Sequence, residues 1–362
     1  MTAPQKQLVY VGTYTRPDRS EGIYIYEFDS STGELLFRNI VDHIRNPSFL
    51  AFSKDQRYLY AVSELAEFSG ASGGGISAFA VDPESYRPVF LNAQPTHGAH
   101  PCYVSVDASG KWVVVANYGS GNVTVLPVTD NGQLGEAAAV IQNQGSSIHR
   151  QQDAPHAHSA IFSPDQRFIF VADLGIDRIL IFRPDKNTGQ LIPHDPPSIA
   201  AAPGAGPRHL AFRPDGQFLY VANELDSTVS AYASDAKNGT LRHLQTLSSL
   251  PEDFKEFNKG ADIQVTSSGR FLYASNRGHD SIAAFEIDAG TGHLTLIEIV
   301  PSGGQTPRNF APDLTDGFLL VANQDSDNLV VFCIDSDTGQ LQAAGHQVSV
   351  PSPVCVKVIA HR

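Results

Sequence analysis

The chain has 362 residues, with 38 acidic and 25 basic side chains and a formal net charge of −13. A net charge of this sign disfavours nucleic acids and anionic membranes as partners, and the sequence contains no apolar run near the 18 or so residues of a membrane helix. The first seven residues do not resemble a signal peptide, and an odd number of cysteines, three, fits a reducing compartment. We therefore expect a cytoplasmic protein that acts without nucleic acid, membrane or an obligate protein partner.

An internal repeat of about 50 residues organises the chain. Each copy has an apolar segment, a tight turn such as 214–216 (PDG), and a second apolar segment that ends in a small or polar residue. A third alternating segment and a turn with Gly and Leu, such as 291–294 (TGHL), follow. The seven ends of the second segments are Thr13, Ser63, Asn117, Asp173, Asn223, Asn276 and Asn323.

Four short strands per copy and seven copies predict an all-β fold, a seven-bladed β-propeller of four-stranded antiparallel blades. The first copy lacks its opening strand, because 8–11 (LVYV) already reads as a second strand, whereas 353–358 (PVCVKV) is a lone opening strand. We expect the C-terminal strand to join the N-terminal blade and close the ring, which removes exposed sheet edges. No linker interrupts the repeat, so we expect one domain over residues 1–362.

One face of this fold is predicted to carry the function. The loops after the second strands and those leading into the next blade share that face, and the long segments 66–75, 142–155 and 251–259 fall there. The starts of the first strands place Ser48, Cys102, His158, Arg208, Asp262, Arg308 and Val354 on this face, with His100 and His156 two positions earlier. The residues that follow the second strands include Glu224 and Arg277.

The polar residues that end the second strands and the charged residues near them have different interpretations. Asn, Asp, Ser and Thr at strand ends commonly bond their own backbone, so the residues ending the second strands have a structural explanation. The charged residues His158, Arg208, Glu224, Arg277 and Arg308 occupy positions that other blades fill differently. A structural requirement of the repeat would place the same residue in each blade, so this variation favours a specific binding site.

Metal and cofactor chemistry find little support in the motifs. His156 and His158 alternate on one strand face, but a metal site needs further ligands, and Asp153 and Asp173 are not required by any spacing. The glycine run at 70–75 lacks the Lys-Ser/Thr of a phosphate loop, and there is no nucleophile elbow or dinucleotide fingerprint. We expect neither a metal nor a cofactor.

The sequence resembles the lactonase family of seven-bladed propellers, which includes bacterial cycloisomerase-type 6-phosphogluconolactonases and fungal carboxy-cis,cis-muconate cyclases. The resemblance implies a catalytic set of one His, two Arg and one Glu in a central cleft, matched here by His158, Arg208, Arg277 and Glu224, and no cofactor. The stretches that carry it are 11–15 (VGTYT), 46–48 (NPS), 100–101 (HP), 116–118 (ANY), 156–158 (HAH), 206–209 (GPRH), 222–224 (ANE), 275–277 (SNR) and 306–308 (TPR).

The function we expect is metal-independent hydrolysis of a small anionic sugar lactone, 6-phosphogluconolactone being the first candidate. An arginine would stabilise the oxyanion, and His158 or Glu224 would be the general base. The predicted substrate-binding residues are His100, Asn117, Asp173, Asn223, Asn276 and Arg308. Two alternatives stay open at this point: a cycloisomerase acting on a carboxymuconate, and a propeller that serves only as a binding or interaction platform.

Overall fold

Seven four-stranded antiparallel sheets follow one another along the chain in the computed structural model, which describes residues 6–16 and 19–361. Within these residues the helical structure is a single turn of 3₁₀ helix, Leu174–Ile176. The predicted all-β fold of seven four-stranded blades is confirmed. We number the blades in chain order.

The strands of the first three blades and of a small hairpin are as follows. Blade 1 contains β1 (Lys6–Thr13), β2 (Ile23–Asp29), β3 (Glu34–Val41) and the C-terminal β30 (Pro353–Ala360); blade 2 contains β4 (Leu50–Phe52), β5 (Tyr58–Ser63), β8 (Gly75–Val81) and β9 (Pro88–Pro95); the hairpin β6 (Glu67–Phe68) and β7 (Ala71–Ser72) lies in the loop between β5 and β8; blade 3 contains β10 (Pro101–Val106), β11 (Trp112–Asn117), β12 (Asn122–Pro127) and β13 (Ala139–Gln142).

The remaining four blades have the same order of strands. Blade 4 contains β14 (Ala157–Phe162), β15 (Ile169–Asp173), β16 (Arg178–Pro184) and β17 (Leu191–Ala200); blade 5 contains β18 (Pro207–Phe212), β19 (Phe218–Asn223), β20 (Thr228–Asp235) and β21 (Thr240–Ser248); blade 6 contains β22 (Lys259–Val265), β23 (Phe271–Arg277), β24 (Ser281–Ile287) and β25 (Leu294–Pro301); blade 7 contains β26 (Pro307–Pro312), β27 (Phe318–Asn323), β28 (Asn328–Ile334) and β29 (Leu341–Ser349).

The two ends of the chain share blade 1. Its strand order is β3-β2-β1-β30, and β1 pairs with β30 so that Val9 lies opposite Val358 and Val11 opposite Val356. The prediction that the C-terminal strand completes the N-terminal blade is confirmed. These apolar strand residues pack into one buried cluster, which explains why the register is specified.

Glycines fix the contact between successive blades. In every blade except blade 2, the turn between the third and fourth strands contains a glycine that packs on an aromatic residue at or next to the start of the second strand of the preceding blade. At Gly292, φ is +72°, and an added Cβ would lie 2.1 Å from the Phe218 ring. The same turn seats Gly132 on Tyr58, Gly189 on Trp112, Gly239 on Phe168, Gly339 on Phe271 and Gly33 on Phe318. The repeated glycine is therefore a packing requirement between blades as well as a turn residue.

The chain divides into two compact units, which we describe separately. The first unit comprises Met1–His43, Ala211–Ser234 and Leu241–Arg362, and the second comprises Ile44–Leu210 and Asp235–Thr240. In the first unit, residues of β19, β23 and β24 such as Tyr220, Ala274 and Phe285 form one of the buried clusters. In the second, residues of β11, β12 and β15 such as Val114, Val125 and Val171 form another. A single domain over residues 1–362 stays a prediction.

Candidate active site

A β-bulge at the start of the first strand recurs in blades 1, 3, 4, 6 and 7 and presents one extra residue. In blade 3, Pro101 pairs with Asn117 and Tyr103 with Ala116, so Cys102 has no opposite residue. His158 in blade 4 and Arg308 in blade 7 are the extra residues of the same irregularity. Bulges commonly re-aim a side chain out of the strand's alternation. Because the extra residue of the bulge has no opposite residue in the strand pairing, this position can hold Cys102, His158 or Arg308 in different blades.

The register predicted for blade 6 was wrong by one residue. Gly260 pairs with Asn276 and Ile263 with Ala274, so the residue that corresponds to Cys102 and His158 is Ala261 and not Asp262. Asp262 is instead buried and accepts a hydrogen bond of 2.6 Å from Asn309 Nδ2. Two positions before Ala261 stands Lys259, which therefore corresponds to His100 and His156. The sequence reading missed Lys259 because the register was shifted.

In the second unit, His158 is buried beside the thiol of Cys102. Cys102 Sγ lies 3.6 Å from His158 Nδ1 and 3.4 Å from the His158 carbonyl oxygen. Both residues are about 5 % exposed or less. The two extra bulge residues of adjacent blades are thus in direct contact. The imidazole is held from its Nδ1 side.

His209 connects His158 to Arg208 in the same unit. The His209 ring packs edge-on against His158, with centroids 5.3 Å apart, and Arg208 Nη1 lies 3.3 Å from His209 Nε2. His209 also meets Tyr103 at 5.3 Å and Phe49 at 5.7 Å. Arg208 is 2 % exposed, so its guanidinium is a desolvated positive charge. His209 belongs to the motif 206–209 (GPRH) and was not among the predicted site residues; its position directly after Arg208 is the sequence signal for it.

The other two predicted histidines lie nearer the surface of the second unit. His156 stacks on Tyr118 at 4.5 Å, and its Nδ1 lies 2.8 Å from the Tyr118 carbonyl oxygen, so Nδ1 is the protonated nitrogen. The His100 side chain is exposed, while its backbone is fixed by bonds to Leu65 and Tyr118. Tyr118 also contacts the His158 ring edge-on at 5.4 Å. Tyr118 and its carbonyl thus support both His156 and His158.

In the first unit, two cations hold the carboxylate of Glu224. Lys259 Nζ donates to Oε1 at 2.9 Å, and Arg277 Nη2 donates to Oε2 at 2.8 Å. Lys259 and Arg277 are cross-strand neighbours at the open end of β22 and β23. The Glu224 side chain is 6 % exposed, against 12 % for Arg277 and 23 % for Lys259. The structure brings Glu224 and Arg277 together, as the sequence predicted.

The surroundings of Arg277 affect both the pKa and the hydrogen bonds of its guanidinium. Burial lowers the pKa of its guanidinium; Glu224 opposes this effect and Arg308 adds to it. Its Nη2 also donates to the Gly260 carbonyl at 2.9 Å, whereas its buried Nε has no hydrogen-bond partner among the described residues. Arg308 lies over the Tyr14 ring at 5.2 Å. The charge around Glu224 is therefore predominantly positive.

The polar residues that end the second strands are buried and bond to the adjacent strand or to a neighbouring loop. Asn276 exchanges two hydrogen bonds of 2.7 Å with Ser249, and Asn223 donates to Thr228 and Ser230. Asn117 donates to Thr124 at 3.2 Å. These contacts agree with the structural interpretation of strand-end residues. A substrate contact by Asn117, Asp173, Asn223 or Asn276 stays a prediction.

Asp173 is the one carboxylate among these strand ends. It accepts hydrogen bonds from the His156 and Gly175 backbone nitrogens and from Asn143 Nδ2, at 2.6–3.0 Å. Burial is the largest influence and raises its pKa, while these hydrogen bonds oppose the shift. Asp173 thus orders the backbone that leads into His158.

Two further observations bear on alternative sites. Among residues 6–16 and 19–361, no group of three or more His, Cys, Asp or Glu side chains is placed to hold a metal ion. A cleft in the second unit is lined by Trp112, Phe162 and Leu191. It lies at the start of β11, whereas Asn117 and the bulge lie at the other end of that strand. We therefore do not place the reaction in that cleft.

The chain and its fold match a known class of propeller enzymes. A family model described as "Lactonase, 7-bladed beta-propeller" matches residues 8–358. The chain is 40 % identical over 355 residues to a 6-phosphogluconolactonase of Bacillus subtilis, covering 98 % of this chain and 99 % of that one. It is 36 % identical over 318 residues to a 6-phosphogluconolactonase of Formosa agariphila, covering 87 % and 88 %.

Solved structures give the same result. The periplasmic gluconolactonase of Pseudomonas aeruginosa superimposes with a TM-score of 0.93 at 36 % identity, covering 99 % of this chain and 100 % of that one. A Bacteroides fragilis protein superimposes with a TM-score of 0.92 at 35 % identity over 99 % of each chain. This chain belongs to the lactonase family of seven-bladed β-propellers.

Proposed function

We propose that this protein hydrolyses a small sugar lactone, with 6-phosphogluconolactone as substrate and 6-phosphogluconate as product. The observation that carries the proposal is the identity of 40 % over nearly the whole length of a 6-phosphogluconolactonase. The cationic residues Arg208, Arg277 and Lys259 within an acidic chain support an anionic substrate.

His158 is the proposed general base. The Cys102 thiol can donate its proton to the His158 carbonyl at 3.4 Å, which leaves the sulfur to accept from Nδ1–H at 3.6 Å. In that tautomer Nε2 carries the lone pair and can take the proton of the attacking water. Cys102 then acts as a positioning residue. The sequence left the general base open between His158 and Glu224. We propose His158 because both Glu224 oxygens accept hydrogen bonds from cations.

Arg208 is the proposed oxyanion stabiliser. Attack of water on the lactone carbonyl places negative charge on its oxygen, and collapse breaks the bond from the carbonyl carbon to the ring oxygen. A fixed, desolvated guanidinium stabilises that charge more than an exposed one does. The protonated His158 can then return its proton to the departing ring oxygen, so proton and bond changes balance. The prediction that Glu224 and Arg277 serve the same reaction stays a prediction.

The first experiment is an assay of the purified protein with 6-phosphogluconolactone, corrected for spontaneous hydrolysis, beside gluconolactone and carboxymuconate. We expect lactone hydrolysis that survives chelator. Turnover of carboxymuconate alone would show that the protein is a cycloisomerase and not a lactonase. Loss of activity on addition of chelator would show that the reaction needs a metal ion.

A variant tests the base. His158→Asn keeps an atom near the position of Nδ1 and removes Nε2, so we expect turnover to fall by about 10²–10⁴-fold. Unchanged turnover in a folded His158→Asn protein would remove His158 from the mechanism.

The cytoplasm is the proposed compartment, although one relative is named periplasmic. No helix in the described part of the chain is long and apolar enough to cross a membrane. Cys102, Cys333 and Cys355 are thiols that take part in no disulfide. Fractionation of the producing cell, with activity in the cytosolic fraction, tests this assignment.

A further inference from the structure

Lys259 distinguishes blade 6 from the other blades. It starts β22, pairs across the sheet with Arg277, and stands two residues before the bulge residue Ala261. The corresponding residues of other blades are uncharged or histidine: Asn46, His100, His156, Gly206, Thr306 and Ser352. A lysine here is therefore not a requirement of the repeat.

Glu224 fixes the positions of two cations. Its oxygen Oε1 accepts a hydrogen bond from Lys259 Nζ at 2.9 Å, and Oε2 accepts one from Arg277 Nη2 at 2.8 Å. An ammonium has three donors, so a bond to Glu224 leaves capacity for a ligand. Arg277 has a buried Nε without a partner among the described residues. Both cations are held in place by the carboxylate and the sheet.

The local charge balance favours an anion. Lys259 and Arg277 both donate to the carboxylate of Glu224, and the guanidinium of Arg308 lies near enough to Arg277 to lower its pKa. Burial has the largest effect on Arg277 and lowers the pKa of its guanidinium, Arg308 lowers it further, and Glu224 opposes both effects. A buried cation that lacks compensation gains most from an anionic ligand.

We propose that Lys259 and Arg277 bind the phosphate of a phosphorylated sugar lactone, with Glu224 as their tether, and that Lys259 sets the preference for phosphorylated over unphosphorylated substrate. The inference rests on the proposed lactonase function and deepens it. Lysine binds phosphate as a point charge, whereas arginine offers a planar pair of donors.

Two neutral variants test Lys259. Lys259→Met removes the charge and the donors, and Lys259→Gln removes the charge but can still donate to Glu224. For both we expect KM for 6-phosphogluconolactone to rise about tenfold or more with little change in kcat. For gluconolactone, kcat/KM should change less than about twofold, because that substrate lacks the phosphate.

Two further variants complete the design. Lys259→Arg keeps the charge and should restore most of the preference. Lys255→Met, an exposed lysine on the same loop, is the matched control and should behave as wild type. Equal losses on both substrates would assign Lys259 a purely structural role through Glu224 and overturn the proposal. Unchanged kinetics in both neutral variants would overturn it as well.

A binding measurement separates this proposal from the lactonase assignment. Calorimetric titration with inorganic phosphate should show saturable binding to wild type and loss of that binding in Lys259→Met and Lys259→Gln. If wild type hydrolyses no lactone yet shows this pattern, the anion site stands and the proposed reaction fails. If phosphate binds wild type and both neutral variants equally, or binds none of them, the anion site fails whatever the catalytic result.

Discussion

Cys102 is a buried thiol whose contact with His158 can be tested directly. Replacing it with alanine removes the acceptor for Nδ1–H while leaving the imidazole in place. We expect Cys102→Ala to lower kcat about tenfold, the size of one lost hydrogen bond to a group that becomes charged. Steady-state kinetics with 6-phosphogluconolactone provide the measurement.

A second cysteine supplies the control. Cys355 is buried to a similar degree in blade 1, and alanine there loses the same volume. Cys355→Ala should therefore keep wild-type kcat at a somewhat lower melting temperature. Equal kcat in Cys102→Ala and wild type would show that the thiol does not position His158.

Asp173 makes stability depend on pH in an unusual direction. Burial raises its pKa above the ordinary value, so the folded state binds a proton more tightly than the unfolded state. The free energy of unfolding therefore falls as pH rises from the ordinary pKa of about 4 through the raised one. We expect Asp173→Asn to remove this contribution, so that its melting temperature falls less than that of wild type as the pH is raised above the ordinary pKa of about 4.

The reverse change offers the matched control for Asp173. Asn117 ends the second strand of blade 3 as Asp173 does in blade 4, and it is fully buried. Asn117→Asp should add a buried carboxyl group, so that the free energy of unfolding falls further as the pH rises. Identical pH profiles for wild type and Asp173→Asn would contradict the assignment of a raised pKa to this carboxyl group.

Part of the site could be predicted from single residues. Glu224 and Arg277 were recognised because charged residues broke a repeat, and the structure joins them at 2.8 Å. Lys259 was missed because the bulge in blade 6 sets two residues, Ala261 and Asp262, opposite Ser275, and strand alternation alone does not reveal an extra residue. The contact between Cys102 and His158 depends on the packing of two blades, which sequence spacing does not specify.

At the scale of the structural element, the glycine turn between the third and fourth strands joins neighbouring blades. Gly292→Ala would put a Cβ 2.1 Å from the Phe218 ring at a φ of +72°. Strain and overpacking together should cost about 2–4 kcal/mol. Thermal unfolding should show a correspondingly lower melting temperature, by roughly 2 °C per kcal/mol.

The control for Gly292 separates packing from backbone strain. Gly110 has a φ of +71° with no atom within 4 Å of an added Cβ. Gly110→Ala should therefore show only the cost of the left-handed conformation, about 1 kcal/mol. Equal losses at the two glycines would mean that the contact with Phe218 contributes nothing to holding the blades together.

At the scale of the whole molecule, the fold was predictable because the repeat is local and consistent. Six of the seven blades carry the turn glycine, and each of these glycines meets an aromatic residue near the start of the second strand of the preceding blade, so propensity and packing agree. The repeat count also forced the pairing of the two chain ends, since blade 1 otherwise lacked a strand. Exact registers were less predictable because bulges interrupt the pairing of the first strand with the second.

The pairing of β1 with β30 is the connection on which blade 1 depends. A chain that ends at Ser352 loses the buried residues Val354, Cys355 and Val356 and leaves β1 as an unpaired edge. We expect this truncated chain to aggregate, or to melt more than about 10 °C below wild type. Differential scanning fluorimetry and size-exclusion chromatography measure both outcomes.

Two controls show whether the strand itself is responsible. A chain that ends at Ala360 keeps all of β30 and should melt as wild type does. A synthetic peptide of residues 353–362 added to the chain that ends at Ser352 should restore part of its stability, because it can pair with the exposed edge of β1. Native melting of the truncated chain without peptide would show that blade 1 is stable with three strands, and that the pairing of the chain ends contributes little to the fold.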